Sequence, residues 1–321
     1  MKRRVDWFLV GLLAVSVLAF VLPEPGSRGG VLHPEITNKL GVSLIFLLHG
    51  AGLPLSALRQ GLANLRLHLL IQAATFLVFP LLGLALLALL PQSATSAELR
   101  LGMFFLCALP STVSSSVTLT AAARGNVPVA LFNATLSSLL GVVLTPFWVG
   151  LVLSSSGQSL PFGDVVLDLL LWLVLPFVIG QCARPLCGAF VEKHRRGLGL
   201  LDRATILLLV YTSLCDSVVA GVWSTQSGTA LALTSAVCAL LLAIMLVGSS
   251  ALGRALGLSV EDRIALVFCG SKKTLASGVP MARLMFVNSA GLGVILLPIL
   301  IYHPLQLVVC AWLAGRFARR S

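Results

Sequence analysis

Ten apolar runs, each about as long as a bilayer is thick, fill almost the whole chain: near 5–22, 37–55, 66–90, 98–123, 126–153, 162–184, 199–220, 227–253, 260–284 and 288–314. A spanning helix takes about 20 mostly apolar residues, so these runs predict ten transmembrane helices. The connections, such as Pro91 to Ala97 and Ser154 to Pro161, are too short to hold a separate domain. Only 10% of the 321 residues are charged, against about 25% in soluble proteins, which excludes a soluble globular fold, a disordered chain and a coiled coil. The expected class is an all-α polytopic membrane protein. The first run follows Lys2, Arg3 and Arg4 as a signal peptide would. However, Phe20-Val21-Leu22-Pro23 offers no small-x-small cleavage site, and the run is read as a span.

The basic excess has a topological explanation. Twenty-two Lys and Arg stand against eleven Asp and Glu. With the N-terminus in the cytoplasm, sixteen of the basic residues fall on the inner side, Lys2, Arg59, Arg124 and Arg263 among them. Only Arg28, Lys39, Arg100 and Arg283 fall outside. This split follows the positive-inside rule and puts both termini in the cytoplasm of a cell (plasma or inner) membrane. No nucleic-acid partner is needed to explain the charge. The seven cysteines sit in or beside apolar runs with no CxxC pair, and read as small packing residues. Trp7, Trp148, Trp172, Trp223 and Trp312 fall toward span ends as interface anchors, and Asp216 and His49 toward membrane faces.

Ten spans divide into five and five. Glu98 and Glu261, opening the fourth and ninth spans, lie 163 residues apart. Asn126 and Asn288, heading the fifth and tenth, lie 162 apart. With an odd number of spans per half, the second half enters the membrane upside down, an arrangement typical of secondary transporters. The expected division is repeat one over 1–158 and inverted repeat two over 159–321, so that 1–190 holds the first repeat and the start of the second. Together they form one membrane domain with no soluble domain.

The fourth and ninth spans are the least helix-like. The fourth breaks at Pro110-Ser111-Thr112-Val113-Ser114-Ser115-Ser116, and the ninth at Gly270-Ser271-Lys272-Lys273-Thr274-Leu275-Ala276-Ser277-Gly278. Matching interruptions in two halves point to a midplane binding site, where unwound backbone lines protein or water. A single hydroxyl in a membrane helix usually bonds its own i−4 carbonyl. Five hydroxyls in six residues after a proline exceed that role. Lys272 and Lys273 are sharper still, about ten residues from both Arg263 and Arg283. A lysine at that depth costs about 2.5–3.5 kcal/mol on insertion scales, so two adjacent ones call for a polar cavity. Gln72, Asn133 and Thr135 are weaker candidates for the same cavity.

These residues resemble those of a known family. Two inverted five-helix repeats with interrupted, crossing fourth and ninth helices resemble the bile acid:sodium symporter fold, solute carrier family ten, built as a core plus a panel. The tract from Cys107 to Pro146 is similar to that family's fourth and fifth helices. FCGSKKTLASGVPM at 268–281 and LPILIYHPLQ at 297–306 resemble the divergent member-seven-like branch with its bacterial relatives. The resemblance implies that Ser115 and Ser116 occupy the positions of a Ser-Asn pair at one sodium site, and that Thr135 belongs to that site. It matches Gln72 to a glutamine of a second sodium site, Cys269 to a glutamate bridging both ions, and Lys273 to a glutamine. Neither interrupted segment here contains a carboxylate, and a cation falls where sodium would bind.

The function expected is secondary transport of a small organic anion by alternating access, with Lys273 replacing the sodium ion. Ser111, Thr112, Ser114, Ser115, Ser116, Asn133, Thr135, Gln72, Cys269, Ser271, Lys272, Lys273 and Thr274 are the candidate binding residues. No cofactor or metal motif is present; a proton or sodium as accompanying ion stays open, with sodium in doubt. Two other readings remain at this stage. One is a non-transporting membrane regulator of ion balance. The other is an intramembrane hydrolase with Ser115 activated by Lys273.

Overall fold

The computed structural model of the chain describes residues 7–52, 64–155, 160–286 and 289–320. Lys2, Arg3, Arg4, Arg59 and Asn288 lie outside the described residues. Helix takes 85% of the structure and no strand is present among the described residues, so backbone groups are satisfied within segments, as lipid requires. The helices are α1 (Trp7–Val21), α2 (Pro34–Gly52), α3 (Leu65–Leu89), α4 (Ala97–Ala108), α5 (Ser114–Ala122) and α6 (Val127–Ser155). There follow α7 (Phe162–Lys193), α8 (Arg195–Val219), α9 (Gly228–Ala255), α10 (Val260–Ser271), α11 (Leu275–Met285) and α12 (Leu292–Ala318). Each apolar run of the sequence coincides with one helix, except that the fourth and ninth coincide with the pairs α4–α5 and α10–α11. Among the described residues six helices, α3, α6, α7, α8, α9 and α12, are long and apolar enough to cross a membrane.

The chain forms two compact units. One comprises Met1–Leu53, Pro161–Thr225 and Val279–Leu296; the other comprises Pro54–Leu160, Gln226–Gly278 and Leu297–Ser321.

In the first unit, α1 lies along α8, and α2 packs against α7 and α8. Helices α2 and α7 touch through two glycines. A Cβ on Gly50 would stand 2.0 Å from the Phe177 carbonyl oxygen, and one on Gly180 would stand 2.2 Å from that of Leu47. Small residues allow this backbone approach where lipid supplies no hydrophobic drive between helices. Near the C-terminal end of α8, Asp216 forms an ion pair with Arg283 at 3.0 Å, with both side chains 10% exposed. The Arg283 guanidinium also donates to Ser213 Oγ at 2.7 Å and Thr212 Oγ1 at 2.8 Å, while the Arg28 amide donates to Asp216 Oδ1 at 2.8 Å. At the other end of α8, Asp202 pairs with His49 at 3.3 Å. Lys39 stacks over Trp172 and Arg203 over Trp7.

In the second unit, an apolar cluster of Leu67, Ile71, Val129, Ala130, Ala265, Leu266 and Cys269 joins α3, α6 and α10. Helix α3 is not regular. It makes a π turn over Ala74–Val78 with Pro80 just beyond, and the Phe79 amide bonds Ala74 O instead of Thr75 O. Pro80 has no N–H to offer Thr75 or Phe76. The Phe76 carbonyl is met by the Trp148 indole N–H at 2.8 Å, so the polar edge of this tryptophan turns to the protein.

Candidate functional site at the two helix breaks

Pro110 sets the first break. The residue before a proline avoids the helical region, and Leu109 is extended at φ −65° and ψ 152°. The second break has no proline. Lys272 is extended at φ −95° and ψ 145°, and Thr274 restarts the helix by accepting the Ser277 amide at 3.2 Å. The two breaks lie against each other: the Thr274 amide donates to Pro110 O at 3.1 Å, and Ser111 Oγ donates to Cys269 O at 2.7 Å.

Unwinding leaves carbonyls without helical donors, and these are met one by one. Thr145 Oγ1 donates to Ala108 O at 2.9 Å, and the Ser111 amide donates to Ser137 Oγ at 2.9 Å. Ser116 Oγ reaches Phe268 O at 3.3 Å, and the Tyr302 hydroxyl reaches Ser271 O at 2.6 Å. Gln306 holds the Lys273 peptide from both sides, accepting its N–H and donating to its carbonyl, each at 2.8 Å.

Lys273 takes three further carbonyls. Its Nζ donates to Cys107 O and Leu109 O at 2.7 Å, and to Thr75 O at 3.0 Å. The first two belong to the C-terminal end of α4, the negative end of a helix dipole. The third is the carbonyl opened by the π turn and Pro80. The Phe79 ring lies 4.1 Å from the ammonium, adding a cation–π contact.

Lys272 is placed differently. Its Nζ donates to Ser115 Oγ at 2.6 Å, and Ser115 Oγ donates to Thr112 Oγ1 at 2.9 Å. Thr112 and Ser116 share a hydroxyl bond at 2.7 Å. Both lysines are fully buried, and no carboxylate pairs with either among the described residues. The partner of Ser115 is thus Lys272, and not Lys273 as a Ser–Lys dyad read from the sequence would have it.

Of the candidates, Ser111, Thr112, Ser115, Ser116, Cys269, Ser271, Lys272, Lys273 and Thr274 come together, Cys269 and Ser271 through their carbonyls. The others bond elsewhere. Ser114 is exposed, and its carbonyl accepts from Thr118. Thr135 bonds Leu131 O in its own helix. Gln72 donates to Asn133 O and Oδ1 at 3.1 Å each, and Asn133 Nδ2 meets His68 Nδ1 at 2.7 Å. Thr75, Ser137, Thr145, Tyr302 and Gln306 belong to the site but are not among the sequence candidates, although Tyr302 and Gln306 lie within the LPILIYHPLQ motif. Pro80 carries a usable signal for one of them, since a proline inside a helix frees carbonyls one turn back.

The SBF-like CPA transporter family model matches residues 6–319. An uncharacterized protein of Pseudomonas aeruginosa is 46% identical, with 98% of this chain and 93% of that one aligned. The putative symporter YfeH of Escherichia coli is 39% identical, over 99% of this chain and 95% of its own length. Sodium/bile acid cotransporter 7 of Rattus norvegicus is 33% identical, over 96% and 91%. Broken helices closed on a buried cation and similarity along the full chain agree: this protein belongs to the SBF-like CPA transporter family and is a multi-pass membrane transporter, not an enzyme.

Proposed function

We propose that the chain is a secondary transporter of a small organic anion, working by alternating access without sodium, with Lys273 in the place of the ion. The observation that carries this reading is the Lys273 ammonium, whose donors end on the carbonyls of Thr75, Cys107 and Leu109. Broken helices in transporters offer such carbonyls to a bound cation. Here the cation is part of the chain. The sodium and bile acid in the relatives' names belong to those proteins. In this chain Cys269 stands where the resemblance places a bridging glutamate, and its thiol points to Ala130 O at 3.8 Å. Any coupling falls to protons.

The reading includes ten spans in two inverted repeats, 1–158 and 159–321. In its support, Ser96 and Ser259 stand 163 residues apart and cap α4 and α10 alike, each helix being 12 residues long and acidic in its first turn. Both termini are assigned to the cytoplasm of the cell membrane on loop charge. Arg320 agrees with that alternation, since it donates to Ala123 O at 3.0 Å and to Glu261 Oε1 at 2.7 Å, joining three segments expected on the inner side.

The test is uptake into proteoliposomes of labelled anions, taurocholate among them, with sodium or choline as the only bulk cation. Equal uptake with either is expected. A strict sodium requirement would overturn the reading.

A further inference from the structure

We infer that the two adjacent lysines have separate duties, and that Lys272 with Ser115 forms the contact for the oxyanion group of the transported substrate. This rests on the transporter reading above and assigns its recognition residue.

Lys273 has nothing left to offer. An ammonium has three N–H donors, and Thr75, Cys107 and Leu109 accept all three. It lies at the C-terminal end of α4, where a helix dipole favours a cation. It holds the breaks together and does not meet the substrate.

Lys272 is in the opposite position on each count. Among the described residues its ammonium has one partner, Ser115, and two donors unmatched, although the residue is fully buried. No carboxylate pairs with it among the described residues. A buried charge without a counter-charge or full hydrogen bonding is costly. Its location adds to the cost: Ser115 is the second residue of α5, so the ammonium stands at the positive end of that helix. The N-cap there is Val113, which gives no side-chain bond to the first-turn amides. An uncapped helix N-terminus beside a half-satisfied ammonium lacks the same partner twice over, an acceptor carrying negative charge. Ser115 is half-buried and Ser114 and Thr118 beside it are exposed, so an anion reaches the pair along that edge of α5.

The experiment compares purified wild type, Lys272→Met, Lys272→Arg, Ser115→Ala and Lys273→Met by thermal shift. The probes are the choline salts of pyruvate, benzoate and taurocholate, with chloride as an inorganic anion. A ligand bound by the native state raises apparent stability by mass action. At least one organic anion is expected to raise the melting temperature of the wild type, and chloride is not. Lys272→Met is expected to melt no lower than wild type without ligand, since it removes an unmatched charge, and to bind the anion at least tenfold more weakly. Lys272→Arg keeps part of the binding, Ser115→Ala weakens it, and Lys273→Met melts lower without ligand. Wild-type affinity in Lys272→Met, or loss of its folded state, overturns the assignment and leaves the transporter reading standing. A shift by chloride alone overturns the organic class. No shift of the wild type by any anion overturns both.

Discussion

Lys273 and Leu109 are 164 residues apart in the chain, and the ammonium of one donates to the carbonyl of the other at 2.7 Å. That bond and its two companions support the proposed role of Lys273 as a structural cation. Lys273→Met removes the donors and leaves three buried acceptors, each costing about 1–3 kcal/mol. Several kcal/mol is a large share of a total that is typically about 5–15 kcal/mol. Purified Lys273→Met should melt well below wild type or fail to accumulate. A melting curve unchanged from wild type would remove the bridging role.

Gln306 is expected to matter through the backbone of Lys273. Its amide meets both the N–H and the carbonyl of that peptide, while His303 Nδ1 lies 3.1 Å from its Nε2. Gln306→Leu orphans both peptide groups at about 1–3 kcal/mol each. Gln306→Glu keeps an acceptor for the amide and loses the donor, so its melting temperature should fall between those of Gln306→Leu and the wild type. The reverse order would show that the two bonds do not set the stability.

Substitution at Gly180 should be felt at once. A Cβ there would lie 2.2 Å from Leu47 O and 2.9 Å from the Ala51 amide, both backbone atoms that cannot swing aside. Overpacking of this kind costs about 1–3 kcal/mol or more. Gly180→Ala should lower the melting temperature, whereas Gly163→Ala, with no atom within 4 Å of its Cβ position, should leave it nearly unchanged. Equal effects of the two would remove the close crossing of α2 and α7.

The ion pair of Asp216 and Arg283 is best read by a double-mutant cycle. Asp216→Asn strands a buried guanidinium, and breaking one side of such a pair costs about 3–5 kcal/mol. Adding Arg283→Met to Asp216→Asn should recover much of that loss. Strictly additive losses in the cycle would mean the two residues act independently.

Much of this architecture is legible in the sequence. The apolar runs mark the helices because an apolar surrounding leaves no other way to satisfy the backbone. Pro110 and the paired lysines mark the breaks, since each is costly in an unbroken membrane helix. The residues that close the breaks are not legible. Thr145, Ser137, Tyr302 and Gln306 lie within largely apolar helices, where a polar side chain reads as ordinary packing, and their partners lie 26 to 37 residues away. Nor does spacing tell which of two neighbouring lysines turns which way. That follows from the extended backbone at Lys272, where successive side chains point to opposite sides. The common fate of a membrane hydroxyl, a bond to its own helix, holds for Thr135 and Thr118 and fails for Ser111 and Ser116.

The carbonyl that Pro80 leaves open has a consequence for how the protein is made. Thr75 and the lysine that completes it are 198 residues apart. At ribosomal speeds of about 5–20 residues per second, roughly 10–40 s separate the synthesis of one from that of the other. Throughout that interval the third helix and the end of the fourth wait with polar backbone unfilled, held by water or by the insertion machinery instead of by their own neighbours. The early half of the chain reaches its final form only when the late half arrives.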